Sequence, residues 1–149
     1  MKVVLDIETD GFNPSKVHCI VAKDINTNVV TVFDTSTMYS YNNWAKQVDK
    51  FIMHNGVSFD APVLNKLVGS KIVPSQVRDT LIESQLYNPI RDKGHSLKAW
   101  GERFNFPKGD FKEFNYFTPD MLEYCKQDVR ITRKVAQALE KEGSKFSSK

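Results

Sequence analysis

The chain is expected to fold as one α/β domain, a mixed five-stranded sheet flanked by helices. Three observations lead there. The chain opens on an apolar run, Val3-Val4-Leu5, of the kind that fills a central strand buried on both faces. Two further strand-like runs follow, with a short polar turn, Asn26-Thr27-Asn28, between them, as in an antiparallel meander. Later strand-like segments are separated by helical ones, which is the pattern of crossovers in a mixed sheet. A length of 149 residues gives one domain room for a proper core.

The first strand is placed at about residues 2–7, the second at 18–24 and the third at 28–34. A short helix is expected over 41–47 and a fourth strand near 51–54. Asn55-Gly56 then turns the chain into a helix from about Phe59 to Leu67. Val77–Asp79 reads as a last short strand running into a helix over 80–87, followed by a loop at 88–94 and a helix over 96–104. The final helix is the best marked. Thr118 supplies the N-cap, Pro119 the first helical position and Asp120 an acid in the first turn. Met121, Cys125, Val129, Thr132, Ala136 and Leu139 recur at three- and four-residue spacing and make a packed face. Gly143 is the expected stop, so residues 1–142 would form the domain and 143–149 a flexible tail.

Composition excludes several classes. Apolar residues make up 40% and charged residues 26%, ordinary values for a soluble globular protein. No apolar stretch is long enough to span a bilayer, and the opening residues are too few and too acidic for a signal peptide. Two cysteines, Cys19 and Cys125, without CxxC spacing indicate neither a disulfide framework nor a zinc site. A cytoplasmic, reduced protein that does not engage membranes is expected. The net charge of +3 is unevenly spread: residues 1–90 hold 8 Lys/Arg against 9 Asp/Glu, whereas residues 91–149 hold 13 against 9. Such a surface suits a polyanionic substrate, although a solvated charged face reads the same way.

Four acids carry the chemical information. Asp6 and Glu8 end the apolar first strand, and residues two apart in an extended chain project from one face. Two like charges aimed at one spot are tolerated most readily when a divalent cation lies between them. Asp60 stands at the start of a helix in HNGVSFDAPVL, where an N-cap is the competing reading. Asp128 stands on the final helix four residues after Tyr124, so the two side chains share a face beside the apolar stripe. A helix docked by that stripe carries both to the place where Asp6 and Glu8 end.

Taken in order, these segments resemble the DEDD superfamily of 3′→5′ exonucleases, which have the ribonuclease H-like fold. Asp6-Ile7-Glu8-Thr9 resembles its D-x-E motif, Asn55 to Asp60 its N-x₂₋₃-[FY]-D motif, and Tyr124 to Asp128 its Y-x₃-D motif. The last marks the tyrosine branch, since the histidine branch would place His where Glu123 stands. Arg78-Asp79-Thr80-Leu81, the stretch GHSLKAWG at 94–101 and Met121–Leu139 extend the likeness to the proofreading exonuclease domain of family A DNA polymerases from short-tailed phages. The likeness runs from residue 2 to about 141. The region between Tyr87 and Thr118 looks shorter than in those polymerases, and a domain that stands alone, without a polymerase attached, is expected.

The resemblance implies a two-metal-ion hydrolase that uses Mg²⁺, with Mn²⁺ as a substitute. It implies that Asp6 bridges the ions and that Glu8, Asp60 and Asp128 complete their shells. Tyr124 would orient the attacking water, because a phenol with a pKa near ~10 is a poor base at neutral pH. Thr9 would hold the terminal nucleotide and Phe12 would wedge between the last bases. Phe12 reads equally as a strand-end core residue, and Asn55 equally as a turn residue or a substrate contact. The stretch 104–117 interleaves six aromatics with Lys108 and Lys112, and reads as a core cap or as a stacking platform for single-stranded DNA. The three histidines lack ligand spacing and are expected to be structural.

The expected activity is therefore a stand-alone exonuclease releasing nucleoside monophosphates from single-stranded DNA or frayed DNA 3′ ends. If the chain is phage-encoded, it would work in the host cytoplasm and proofread in trans for a separate DNA polymerase chain. A 3′→5′ exoribonuclease of the same superfamily and a non-catalytic polymerase accessory module are the alternatives.

Overall fold

The computed structural model describes residues 1–147. Five strands, β1 (Lys2–Thr9), β2 (Val17–Asp24), β3 (Val30–Phe33), β4 (Lys50–Met53) and β5 (Val77–Asp79), form one sheet in the order β3-β2-β1-β4-β5. The β3-β2-β1 meander is antiparallel, whereas β4 runs parallel to β1 and β5 parallel to β4. Among the described residues five α-helices complete the fold: α1 (Tyr41–Ala45), α2 (Ala61–Leu67), α3 (Thr80–Tyr87), α4 (Leu97–Arg103) and α5 (Pro119–Ser147).

The pleat of β1 sorts its residues between two cores. Val3, Leu5 and Ile7 face one side, where they pack with Phe51, Met53, Tyr41 of α1 and Leu64 of α2. Val4 faces the other side, against Cys19, Val21, Ile52 and the α5 residues Met121, Cys125, Val129 and Ala136. A third cluster joins Leu97 and Trp100 of α4 to Ile131, Val135 and Leu139 further along α5. The apolar stripe of α5 is thus divided between the sheet and α4. Each large side chain fully buried this way contributes roughly 1.5–3 kcal/mol.

Several boundaries differ from those the sequence suggests, each for a local reason. β3 begins at Val30 because Asn28 takes a left-handed φ of 62° and its N–H closes the turn onto the Asp24 carbonyl at 2.9 Å. α1 ends at Ala45, where Gln47 and Val48 bond back three residues to the Trp44 and Ala45 carbonyls. One turn of π-helix, Gly56–Asp60, precedes α2. α5 does not stop at Gly143 but continues to Ser147. A Cβ at Gly143 would stand 3.1 Å from the Tyr87 hydroxyl, so the missing side chain lets α5 pass close to α3. Ser148 and Lys149 of the expected tail lie outside the described residues.

Candidate active site

The parallel strands β1, β4 and β5 end at the same edge of the sheet, the usual place for a ligand in such folds. β1 delivers Asp6 and Glu8 there, on the same face as Val4 and therefore towards α5. The β1–β2 register shifts between Glu8 and Thr9, a bulge of the kind that re-aims side chains beside functional sites. β4 delivers Asp60 through a tight turn. Asn55 adopts φ 73°, and a Cβ at Gly56 would come within 2.5 Å of Met53 Cβ, so this turn requires glycine. Asp79, at the end of β5, accepts from the Asn55 and Val57 N–H groups, both at 3.0 Å. The same carboxylate caps α3 through the Leu81 N–H at 3.0 Å. α5 brings Tyr124 and Asp128 over the cluster, with Cys125 between it and the core.

All four acids of the three motifs are drawn into one electrostatic unit. Burial lifts the Asp6 carboxyl well above the ordinary range, and the charges of Asp128, Glu8 and Asp60 lift it further. Burial, then Asp128, pushes Glu8 from 4.5 up to about 8. Asp60 is raised by burial, then by Asp79, Glu8 and Asp128. Asp128 is raised by burial against the opposing pull of Lys108. Two carboxylate oxygens, Asp60 Oδ2 and Asp128 Oδ1, are buried with no hydrogen-bond partner. Buried acceptors without donors are costly, and a cation is what would satisfy them. The donor set therefore fits a hard divalent metal.

Cys125 stands among the ligand atoms of Asp6 and Glu8, all within 4.8 Å of one another. Its Sγ donates to the Asp6 carbonyl at 3.5 Å and to Asp6 Oδ2 at 3.4 Å, and burial raises the thiol further. A neutral thiol donating to Asp6 holds that carboxylate in place and does not compete for a hard metal.

The remaining candidates separate clearly. Phe12 is fully exposed on the loop after β1, so it is not a core residue. That loop is braced by Asp10, which accepts from the Ser15 and Lys16 N–H groups at 2.8 and 3.2 Å and is held down to about 2 by the Ser15 hydroxyl. Thr9 is buried, and its hydroxyl donates to the Gly11 carbonyl at 2.9 Å. Asn55 serves the turn, as its left-handed backbone and the N–H to Asp79 show.

In the 104–117 stretch, Phe111, Phe114 and Phe117 cover the sheet core while Phe104 and Phe106 cover the α4–α5 core, leaving Tyr116 exposed. Core capping accounts for five of the six aromatics, but Lys108 points into the site. Its Nζ donates to Asp128 Oδ2 at 2.8 Å and to the Tyr124 hydroxyl. The histidines are structural. His18 Nε2 meets the Phe114 carbonyl at 2.7 Å and His54 Nε2 the His95 carbonyl at 2.8 Å. His95 lies between the Ser84 hydroxyl and the Pro89 carbonyl.

Sequence reasoning missed Lys108, Cys125 and Asp79 as parts of the site. Asp79 carried a signal, since an Asp between a short strand and a helix is placed to cap the helix N-terminus. Cys125 was legible only as a packed residue. Lys108 was singled out only with Lys112, in a stretch read as a core cap or a stacking platform, and not as a partner of the acids.

A central strand ending in paired carboxylates, completed by acids from the turn after a neighbouring strand and from a covering helix, fits a metal-dependent hydrolase. A family model described as a 3′-5′ exonuclease matches residues 2–144, and the chain belongs to that family. It is 26% identical over 184 residues to the DNA-directed DNA polymerase of Escherichia phage T7 and 24% to that of Enterobacteria phage T3. Each alignment covers 92% of this chain but 26% of the polymerase, so the chain spans about a quarter of those relatives. Among solved structures it is similar to Brucella melitensis NrnC with bound Mg²⁺, at a TM-score of 0.76 and 22% identity over 98% of this chain and 75% of that one. Trypanosoma brucei RNase D in complex with RNA U12 gives 0.69 and 15%, over 93% of this chain and 55% of that one. At these identities the solved structures support the fold, a ribonuclease H-like sheet. The chain is thus a member of a metal-dependent 3′→5′ exonuclease family of the DEDD superfamily, and is similar to a segment of phage DNA polymerases. Among the described residues no helix is long and apolar enough to cross a membrane.

Proposed function

We propose that the chain removes nucleoside monophosphates from single-stranded or frayed DNA 3′ ends, using two divalent metal ions held by Asp6, Glu8, Asp60 and Asp128. The observation that carries this reading is the buried acid cluster, with Asp60 Oδ2 and Asp128 Oδ1 lacking any protein donor. Four carboxylates sharing two dications come out neutral before a phosphate arrives, and Mg²⁺ suits a few carboxylates plus water and substrate oxygens; Mn²⁺ would substitute. When bound, the ions supply charge stabilisation at the scissile phosphate and at the attacking and leaving oxygens. The protein's own part is placement. The Tyr124 hydroxyl, beside Asp128, orients the attacking water. Phe12, exposed on a braced loop, stacks on the terminal bases, which tolerates any sequence. Thr9 shapes the loop that presents it, and Asn55 lines the turn below the terminal nucleotide.

DNA is favoured as substrate because the sequence relatives are DNA polymerases. We propose accordingly that the natural ends are those left by a DNA polymerase, with the chain acting as its proofreader. The deciding assay uses a 5′-labelled single-stranded DNA oligomer and its RNA counterpart, with Mg²⁺, with EDTA, and with Asp6→Ala. A Mg²⁺-dependent ladder shortening from the 3′ end of DNA, lost in Asp6→Ala, is expected. Shortening of RNA alone would overturn the substrate assignment, and no shortening of either would overturn the catalytic reading. Partnership is tested separately: a polymerase from the same genome should co-elute with the chain or gain fidelity from it.

A further inference from the structure

The loop between α4 and α5 contributes a cation to a site that the motifs describe as purely acidic. We propose that Lys108 is a positioning residue for hydrolysis, holding the Tyr124 hydroxyl and the Asp128 carboxylate in one fixed relation so that the attacking water finds a prepared seat. The inference rests on the exonuclease reading of the site above.

The contacts are specific. Lys108 Nζ donates to Asp128 Oδ2 at 2.8 Å and to the Tyr124 hydroxyl, and it lies 3.8 Å from the centroid of the Tyr124 ring. Asp128 and Tyr124 are one helical turn apart on α5, and the ammonium clamps them together from a different segment. A phenol hydroxyl has one proton and two lone pairs. With one lone pair taken by Lys108, its rotor is fixed, and the proton and second lone pair are left for water. Without that partner the hydroxyl would flip between its two in-plane orientations. For a group too weakly basic to take a proton itself, direction is what it has to offer.

The placement of Lys108 is also built by its surroundings. Gln127 on α5 donates to the Pro107 carbonyl at 3.0 Å, pinning the residue before it. The Phe106 N–H donates to the Gly101 carbonyl at 2.9 Å. A Cβ on Gly101 would meet the Phe106 carbonyl at 3.0 Å and the Lys108 nitrogen at 3.2 Å, so α4 has room for this strap only at glycine. Gly109, just after, lies where a Cβ would come within 3.1 Å of Tyr124 Cδ2. Phe111 and Phe114 then pack on the Tyr124 ring with centroids at 5.7 and 6.2 Å. A solvated surface lysine needs none of this.

The test compares Lys108→Met, which keeps length and loses charge, with wild type, Tyr124→Phe and the double variant. Against single-stranded DNA with saturating Mg²⁺, Lys108→Met is expected to lower kcat about 10- to 100-fold with KM little changed, the usual cost of losing a partner that orients a reacting group. In the Tyr124→Phe background the same substitution should cost far less, because the group it orients is gone. Equal losses in both backgrounds, an unchanged kcat, or a rise in KM alone would overturn the inference. A second readout needs neither metal nor turnover. In metal-free protein with labelled tyrosine rings, the Tyr124 signal, assigned by its loss in Tyr124→Phe, should move in Lys108→Met while the signals of the other four tyrosines stay. A Tyr124 signal that does not move, or general movement of all five, would also overturn it. Wild type that hydrolyses neither DNA nor RNA would instead remove the exonuclease reading itself.

Discussion

The metal-free protein should lose stability as the pH rises through neutrality, opposite to the usual behaviour of a protein rich in paired carboxylates. Glu8 is held at about 8 in the folded chain against 4.5 when unfolded. A group raised on folding contributes stability that is fully present below its unfolded pKa and is lost as pH climbs to its folded one. Across the full span this is about 5 kcal/mol, at roughly 1.36 kcal/mol for each pH unit. Between about pH 6.5 and 8, Glu8 alone accounts for a loss of roughly 1.5 kcal/mol. Asp6, Asp60 and Asp128 are shifted in the same direction and add to it. His54 has the opposite sign, because burial lowers it, and its contribution is lost as pH falls below the ordinary histidine range. Asp10, held down to about 2, titrates far below the window. The measurement is thermal unfolding by circular dichroism in EDTA at steps from about pH 6.5 to 8, where Glu8 alone should lower the wild-type Tm by roughly 3–6 °C and the other three acids should lower it further. Saturating Mg²⁺ should remove the drop, since bound cations stabilise the ionised cluster. Asp6→Asn, with one like charge fewer, should show a shallower slope and a higher Tm than wild type at the alkaline end. A metal-free wild-type Tm that is flat or rises over this range would refute the account of a repulsive buried cluster.

Three further outcomes are expected. Tyr124→Phe should slow turnover about 10- to 100-fold while leaving Mn²⁺ affinity by calorimetry intact; an unchanged rate would remove the hydroxyl from the mechanism. Phe12→Ala should weaken binding of single-stranded DNA about tenfold, the value of one base stack, with no change in Tm because the ring is fully exposed. Gly56→Ala should destabilise the fold by about 1–3 kcal/mol, since its Cβ would press on Met53 at 2.5 Å, and should depress activity by moving Asp60; wild-type denaturant and kinetic profiles would contradict this.

The sheet was legible because its cause is local. Val3-Val4-Leu5 reads as a buried strand, and once that segment is extended the alternation puts Asp6 and Glu8 on one face. The same holds for Tyr124 and Asp128, whose four-residue spacing places them together once α5 docks by its stripe. What the sequence hid depends on approach between distant segments. Gly143 looks like a helix stop in isolation, yet it marks the point where α5 passes the Tyr87 hydroxyl. Cys125 reads as one more apolar residue of the stripe, and only the docking of α5 on β1 turns its thiol towards Asp6. Lys108 sits in a loop with no periodicity, and its position is set by Gly101 and Gln127, residues 7 and 19 positions away in the chain.

The residues found only in the structure share a task that the motif acids cannot perform for themselves. Four carboxylates brought to one edge of a sheet repel one another, and nothing in their spacing keeps them aimed before a metal arrives. Two of them have a neutral or positive donor fixed elsewhere in the fold, and a third is carried by a turn that is itself held in place. Cys125 donates to Asp6, and Lys108 to Asp128. Asp79, although itself an acid, spends its oxygens on the backbone N–H groups of Asn55 and Val57, and so fixes the turn that carries Asp60. Had the cluster been fully satisfied by such donors, it would be stable and useless to a cation. Had it none, the edge would open. The two oxygens left without donors, on Asp60 and Asp128, lie between these extremes. They are buried charge that the protein does not neutralise, and so part of what selects a metal.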